Sequence, residues 1–261
     1  MRRFDPRYTL RLALALLASA LFAAPARALP GLEAGVRGSY WFPNLSAKIQ
    51  TFDPPPVGTR FDAKDDLGVG DENFPSGEVF LRIGRFHLRA GYTPVSFDGN
   101  RTLTDNIVFN GQTFPVSQKV LSRLDVKMLD GEIQVDLFRP DLIAASFHLG
   151  LAARVKYLDG EVELRSATLT ERKDFRAPIP MVGAAAGLGF LENMVRADVR
   201  AAGISYSGNH LYEADAWISF VPFPFFRIQG GYRWIDLSVD EDDIVADLTL
   251  KGPYAGAQIS F

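Results

Sequence analysis

Residues Ser146–Tyr157 read SFHLGLAARVKY, and their pattern decides the fold. Phe147, Leu149, Leu151, Ala153, Val155 and Tyr157 alternate with Ser146, His148, Gly150, Ala152, Arg154 and Lys156. A period of two belongs to a β-strand, because successive side chains leave the backbone on opposite faces. One face of this strand is therefore apolar and the other largely cationic. In a soluble barrel or sandwich the apolar face would point inward; in a membrane barrel it would point outward, to lipid.

Similar alternation recurs from Leu32 to the last residue. Ala34, Val36, Tyr40 and Phe42 oppose Glu33, Arg37, Ser39 and Trp41. Leu129, Ile133, Val135 and Leu137 oppose Asp130, Glu132, Gln134 and Asp136, and Ile228, Tyr232 and Trp234 oppose Arg227, Gln229 and Arg233. Such runs predict ten strands, with eight or twelve as the alternatives. Short links at Gly84-Arg85, 138–141, 191–193 and 222–224 alternate with long ones at 44–75, 98–120 and 158–175. Briefer links lie near 207–209 and 239–243. Alternating short and long links are the layout of a closed up-and-down transmembrane barrel with short periplasmic turns and long outer loops. An even strand number then puts both termini on the periplasmic side.

The N-terminal segment supports that location. Arg2, Arg3, Arg7 and Arg11 precede an apolar run from Leu12 to Ala24, and Ala26-Arg27-Ala28 closes it. This is the three-part layout of a cleaved secretory signal, assigned to residues 1–28, with 29–261 as the barrel. Removing it takes five arginines and one aspartate from the 28 basic and 31 acidic residues, so the formal charge moves from −3 to −7. An acidic chain offers no basic surplus for nucleic acid. The absence of cysteine excludes a disulfide scaffold and thiolate metal sites.

Aromatic residues cluster near the strand ends on the apolar faces, among them Tyr40, Tyr92, Tyr157, Phe220, Tyr232 and Trp234, as interfacial girdles require. The Ala-x-Ala signal, the alternating strands and the terminal Phe261, with Ile259 and Tyr254 behind it, together resemble the small outer-membrane β-barrels of Gram-negative bacteria. The resemblance implies an integral outer-membrane location and contact with outer-membrane lipid and lipopolysaccharide. It also implies that the barrel-assembly machinery reads residues 253–261. It is a resemblance of architecture and assigns no activity.

The inward faces carry paired charges. Glu132 and Asp136 lie one strand from His148, Arg154 and Lys156; Arg196, Asp198 and Arg200 precede Glu213 and Asp215, which precede Arg227 and Arg233. Opposite charges on adjacent strands pair laterally. One reading is a salt-bridge network that fills the lumen; the other is a charged eyelet that selects ions. Ten strands lie near the size at which side chains fill a barrel, which favours the first.

An enzyme has little raw material. Of three histidines, His87 lies near the periplasmic end and His148 deep in the wall. His210 alone reaches the outer rim, near Ser207, Glu213 and Asp215. The resemblance brings in ten-stranded outer-membrane proteases with paired carboxylates and an Asp-His couple. Here Asp65-Asp66 and Asp242-Asp243 are acidic pairs, but no Asp-x-His occurs. Asp62, Asp65, Asp66 and Asp71 are weak candidates for calcium, since their spacing departs from the calcium-loop pattern and a solvated loop is the commoner outcome. No cofactor is implied. In the second long link, Ile107-Val108-Phe109 before Asn110-Gly111 predicts a hairpin that either rises above the membrane or folds inward. The expectation is a non-catalytic barrel with a structural or surface role, with a narrow porin-like channel as the alternative and a lipid- or peptide-modifying enzyme third.

Overall fold

A computed structural model describes residues 31–51, 58–140, 145–241 and 244–261. Residues 1–28, expected to be a signal segment, together with Pro54–Pro56 and the pair Asp242-Asp243, lie outside the described residues. Among the described residues there are fourteen strands: β1 (Leu32–Trp41), β2 (Asn44–Thr51), β3 (Phe61–Asp62), β4 (Phe74–Ile83), β5 (Phe86–Thr102), β6 (Ile107–Phe109), β7 (Gln112–Phe114), β8 (Lys119–Phe138), β9 (Ala145–Arg165), β10 (Thr170–Phe190), β11 (Val195–Tyr206), β12 (Asn209–Phe223), β13 (Phe226–Glu241) and β14 (Ile244–Ser260). β1 and β2 both pair with β14 and act as one wall strand interrupted at Phe42-Pro43. With β4, β5 and β8 to β14 they close an antiparallel barrel of ten strands. Closure leaves no sheet edge along the wall between β1 and β14.

Hydrophobic phase explains the shape. Below the level of Met128, β8 turns Leu129, Ile133 and Leu137 outward, all exposed, and buries Glu132, Gln134 and Asp136. Above that level the phase inverts: Val120, Leu124, Val126 and Met128 point inward and are buried. Arg123 and Asp125 now face out. The adjacent apolar pair Met128-Leu129 is the switch. Neighbouring strands switch at matching heights, since Thr93 pairs with Met128, Met128 with Leu158, and Leu158 with Ala177. On the far wall Ile235 pairs with Leu250, and Leu250 with Leu45. The outside of the lower half is apolar, as a wall facing lipid is, and the inside of the upper half is apolar, as in a barrel surrounded by water.

This inversion corrects the expected long link at 158–175. β9 runs on to Arg165 and β10 starts at Thr170, leaving only Ser166–Leu169 as the turn. The alternation of Leu158, Val162 and Leu164 with Asp159, Glu161 and Glu163 continues the strand in the opposite phase. Likewise Asn44–Thr51 and residues 98–102 are strand rather than loop. At ~3.3 Å per residue and a tilt of ~40°, a strand the length of β9 rises roughly 50 Å, about twice the apolar band of an outer-membrane barrel.

The hairpin folds inward. β6 and β7 pair across the turn Asn110-Gly111, both at positive φ, and Ile107, Phe109 and Phe114 are buried. Asn110 N donates to Thr51 Oγ1 at 3.1 Å on β2, while Asn110 Nδ2 donates to Glu171 Oε2 at 3.1 Å on β10. Those two strands stand on opposite sides of the barrel. Thr59 N donates to Val108 O at 3.0 Å, and the rings of Phe61 and Phe109 meet edge to face at 6.1 Å. The hairpin therefore lies across the mouth.

Candidate functional site

The lower lumen is the most chemically charged part of the molecule, and strand register places its groups. Glu132 on β8 is opposite Arg89 on β5 and Arg154 on β9. It pairs with both, Arg154 Nε donating to Glu132 Oε2 at 2.7 Å. Arg154 Nη1 lies 2.7 Å from Glu213 Oε2, reaching past β10 and β11 to β12. Lys156 Nζ bridges Asp130 at 2.7 Å and Glu213 at 3.0 Å. β10 leaves room for these spans because it contributes Gly183, Ala185, Gly187 and Gly189 to the interior, with no charge among them.

Arg200 on β11 is the hub. Its Nη1 lies 3.3 Å from Glu78 and 3.7 Å from Glu132, and its Nη2 lies 3.3 Å from Asp215. Its guanidinium sits 4.9 Å from the Trp217 ring centroid, with Arg37 at 5.2 Å from the same ring. Arg37 also pairs with Glu78 at 3.3 Å. Arg233 reaches Asp215 at 3.6 Å and stands over Trp41 and Tyr254. The space left among these side chains is about 50 Å³. Above them lies an apolar layer of Val95, Phe97, Leu124, Leu158, Phe175, Leu211 and Leu250, with Lys156 at its floor.

Toward the short turns the lumen changes partners. His87 Nε2 is 2.8 Å from Asp136 Oδ2, Arg196 Nη2 is 3.0 Å from Asp198, and His148 Nε2 is 3.9 Å from Asp198. Arg227 lines the same region and has no ion pair among the described residues. Thus twelve sequence-derived lumen residues all face the interior. The inward charges Glu33, Arg37, Glu78, Arg82 and Arg89 belong with them. Their alternation is visible in the sequences of β1, β4 and β5.

Other candidate residues are not brought together. His210 faces outward, stacked on Tyr212 at 4.9 Å, and its Nε2 lies 3.2 Å from Asp236 on β13. Glu213 and Asp215 on the same strand face the lumen, so the grouping of His210 with them is not assembled; strand alternation separates them. Nor do Asp62, Asp65, Asp66 and Asp71 form a ligand cluster. Asp62 Oδ1 accepts from the backbone of Lys64 and Asp65, Asp66 Oδ2 from the backbone of Asp62, and Asp71 pairs with Lys64 at 2.8 Å. Among the described residues no group of three His, Cys, Asp or Glu is placed to hold a metal. Of the three residues expected to serve as an assembly signal, Ile259 and Phe261 are exposed on the outer face, whereas Tyr254 is buried in the lumen.

No protein-family model and no curated protein sequence matches the chain. Solved structures do. The outer-membrane protease OmpT of Escherichia coli superposes with a TM-score of 0.51 at 7% identity, covering 92% of this chain and 99% of that one. Neisserial surface protein A gives 0.37 at 12% identity over 88% and 97% of the two chains. The attachment invasion locus protein Ail of Yersinia pestis, in complex with a heparin analogue, gives 0.35 at 11% over 88% and 99%. At such identities the likeness is one of fold, so no activity transfers. The chain has the fold of the outer-membrane β-barrels, closed by ten antiparallel strands.

Proposed function

We propose that the protein is a non-catalytic integral outer-membrane barrel with a plugged lumen, serving a structural or surface-contact role. Both termini lie in the periplasm and the tall rim stands outside the cell. The observation that carries this reading is the stacking of three barriers along one axis: the Arg200-centred network, the apolar layer above it, and the β6–β7 hairpin across the mouth. A solute would have to break buried ion pairs and then cross a desolvated layer, and each step is costly. Planar-bilayer conductance of the purified, refolded protein tests it. The expected result is a silent bilayer; reproducible conductance steps would overturn the plug and favour a narrow channel.

The outward apolar belt suits outer-membrane lipid, and the tall polar wall above it suits contact with lipopolysaccharide. Recognition by the barrel-assembly machinery rests on Ile259 and Phe261, the outward members of the last strand. The enzyme reading rests on one observation, the acid-histidine pair His210–Asp236 on the outer face. Loss of a measured peptide or lipid A modification on His210→Ala would support it, and we expect no such activity.

A further inference from the structure

We propose that the short-turn end of the lumen is a binding site for a small oxyanion of the phosphate class. A cavity of about 100 Å³ lies there, lined by Arg37, Arg82, Arg196 and Arg227 together with His87 and His148. Glu33 and Asp198 also line it, but both are engaged: Arg82 holds Glu33 at 2.9 Å, and Arg196 holds Asp198 at 3.0 Å. Arg227 has no ion pair or side-chain hydrogen bond among the described residues, and its Nε is buried without an acceptor. Its register neighbour on β14 is Gln258, whose Oε1 accepts instead from Arg37 Nη2 at 3.1 Å. Arg82 Nε is likewise buried and unsatisfied.

Two guanidinium groups that line one polar cavity thus each keep an unused Nε donor, and one of them has no ion-pair partner among the described residues. A half-buried cation without a partner is poorly stabilised, and an orphaned buried donor adds to that cost. An oxyanion relieves both, because the planar guanidinium matches phosphate oxygens with parallel N–H donors. The volume exceeds the ~10–15 Å³ that one water needs by several fold, which leaves room for one phosphate group. Side-chain exposure of 27% at Arg82 and 22% at Glu33 leaves the cavity reachable from that end.

The test uses the refolded full barrel in detergent. Its thermal transition, read by heat-modifiable gel migration, is followed in inorganic phosphate and in chloride at equal ionic strength. At ten times its Kd, phosphate should raise the transition by about 3–6 °C over chloride. The increment should vanish in Arg227→Gln and persist in Arg123→Gln, which alters an outer-rim pair with Asp98. No difference between phosphate and chloride on the unaltered protein, or an increment that survives Arg227→Gln, overturns the site. Calorimetric titration of the unaltered protein with inorganic phosphate decides the matter if Arg227→Gln does not refold: no saturable heat overturns the site. Glycerol phosphate forms a second arm. Equal affinity for both ligands assigns the site to the free anion, and tighter binding of the monoester than of inorganic phosphate assigns it to a phosphorylated headgroup.

Discussion

Arg200 on β11 and Glu78 on β4 meet at 3.3 Å although their strands stand on opposite walls of the barrel. The pair crosses the whole lumen and ties the two walls together. Because Arg200 also holds Asp215 and Glu132, its removal leaves three carboxylates short of a partner. Arg200→Ala should therefore destabilise the barrel by about 3–5 kcal/mol, the cost of breaking a buried pair. Replacing both partners, Arg200→Met with Glu78→Met, should cost less than the sum of the single changes. Denaturant unfolding of the refolded single and double variants measures the difference.

The inversion of hydrophobic phase predicts opposite sensitivities at two heights. Phe97 is fully buried in the upper lumen and meets Phe74 edge to face at 5.0 Å. Phe97→Ala should cost about 3–5 kcal/mol through the cavity it leaves. Leu151 is 57% exposed on the lower outer wall, where the reading places lipid. Leu151→Arg should cost about 2–4 kcal/mol in a bilayer, as a charge facing the hydrocarbon does. Equal tolerance of Leu151→Arg and Leu151→Ala in lipid vesicles would speak against the belt.

The lid depends on one turn. Gly111 has φ +74° and follows Asn110 at φ +50°, a geometry that a β-branched residue adopts only with strain. Gly111→Val should loosen the hairpin by about 1–2 kcal/mol without unfolding the wall. Limited proteolysis should then cut within residues 105–116, while heat-modifiable migration stays intact. Resistance equal to that of the parent protein would show that the turn is not what holds the lid.

His210 and Asp236 are each about 30% exposed at the side chain, so their pair contributes little. His210→Ala should lower stability by less than about 1 kcal/mol. The same variant should leave any surface modification of peptide or lipid A unchanged, which separates a structural pair from a catalytic one in a single preparation.

Much of this was legible in the chain itself. In the opening stretch Phe147, Leu149, Leu151 and Val155 do face outward, and His148, Arg154 and Lys156 do face the lumen. The strand count and the hairpin at Asn110-Gly111 were also readable. The upper half of the wall was not, because Leu158–Arg165 and Thr170–Phe175 alternate in the opposite sense and so read as loop. The clue was the adjacent apolar pair Tyr157-Leu158, matched by Met128-Leu129 in β8. A doubled apolar residue inside an alternating run marks a change of surroundings rather than the end of a strand.

Local sequence by itself determined which side chains of a strand share a face, since period-two alternation is a property of the backbone that no partner alters. Which face is the interior at a given height, which wall each charge reaches, and where the hairpin lies were decided only by tertiary structure. In the proposed placement, lipid below and water above exert opposite preferences on the same wall. Contacts such as Arg200 to Glu78, or Asn110 to Glu171, exist only once ten strands have closed into a ring and brought opposite walls within a side chain's length.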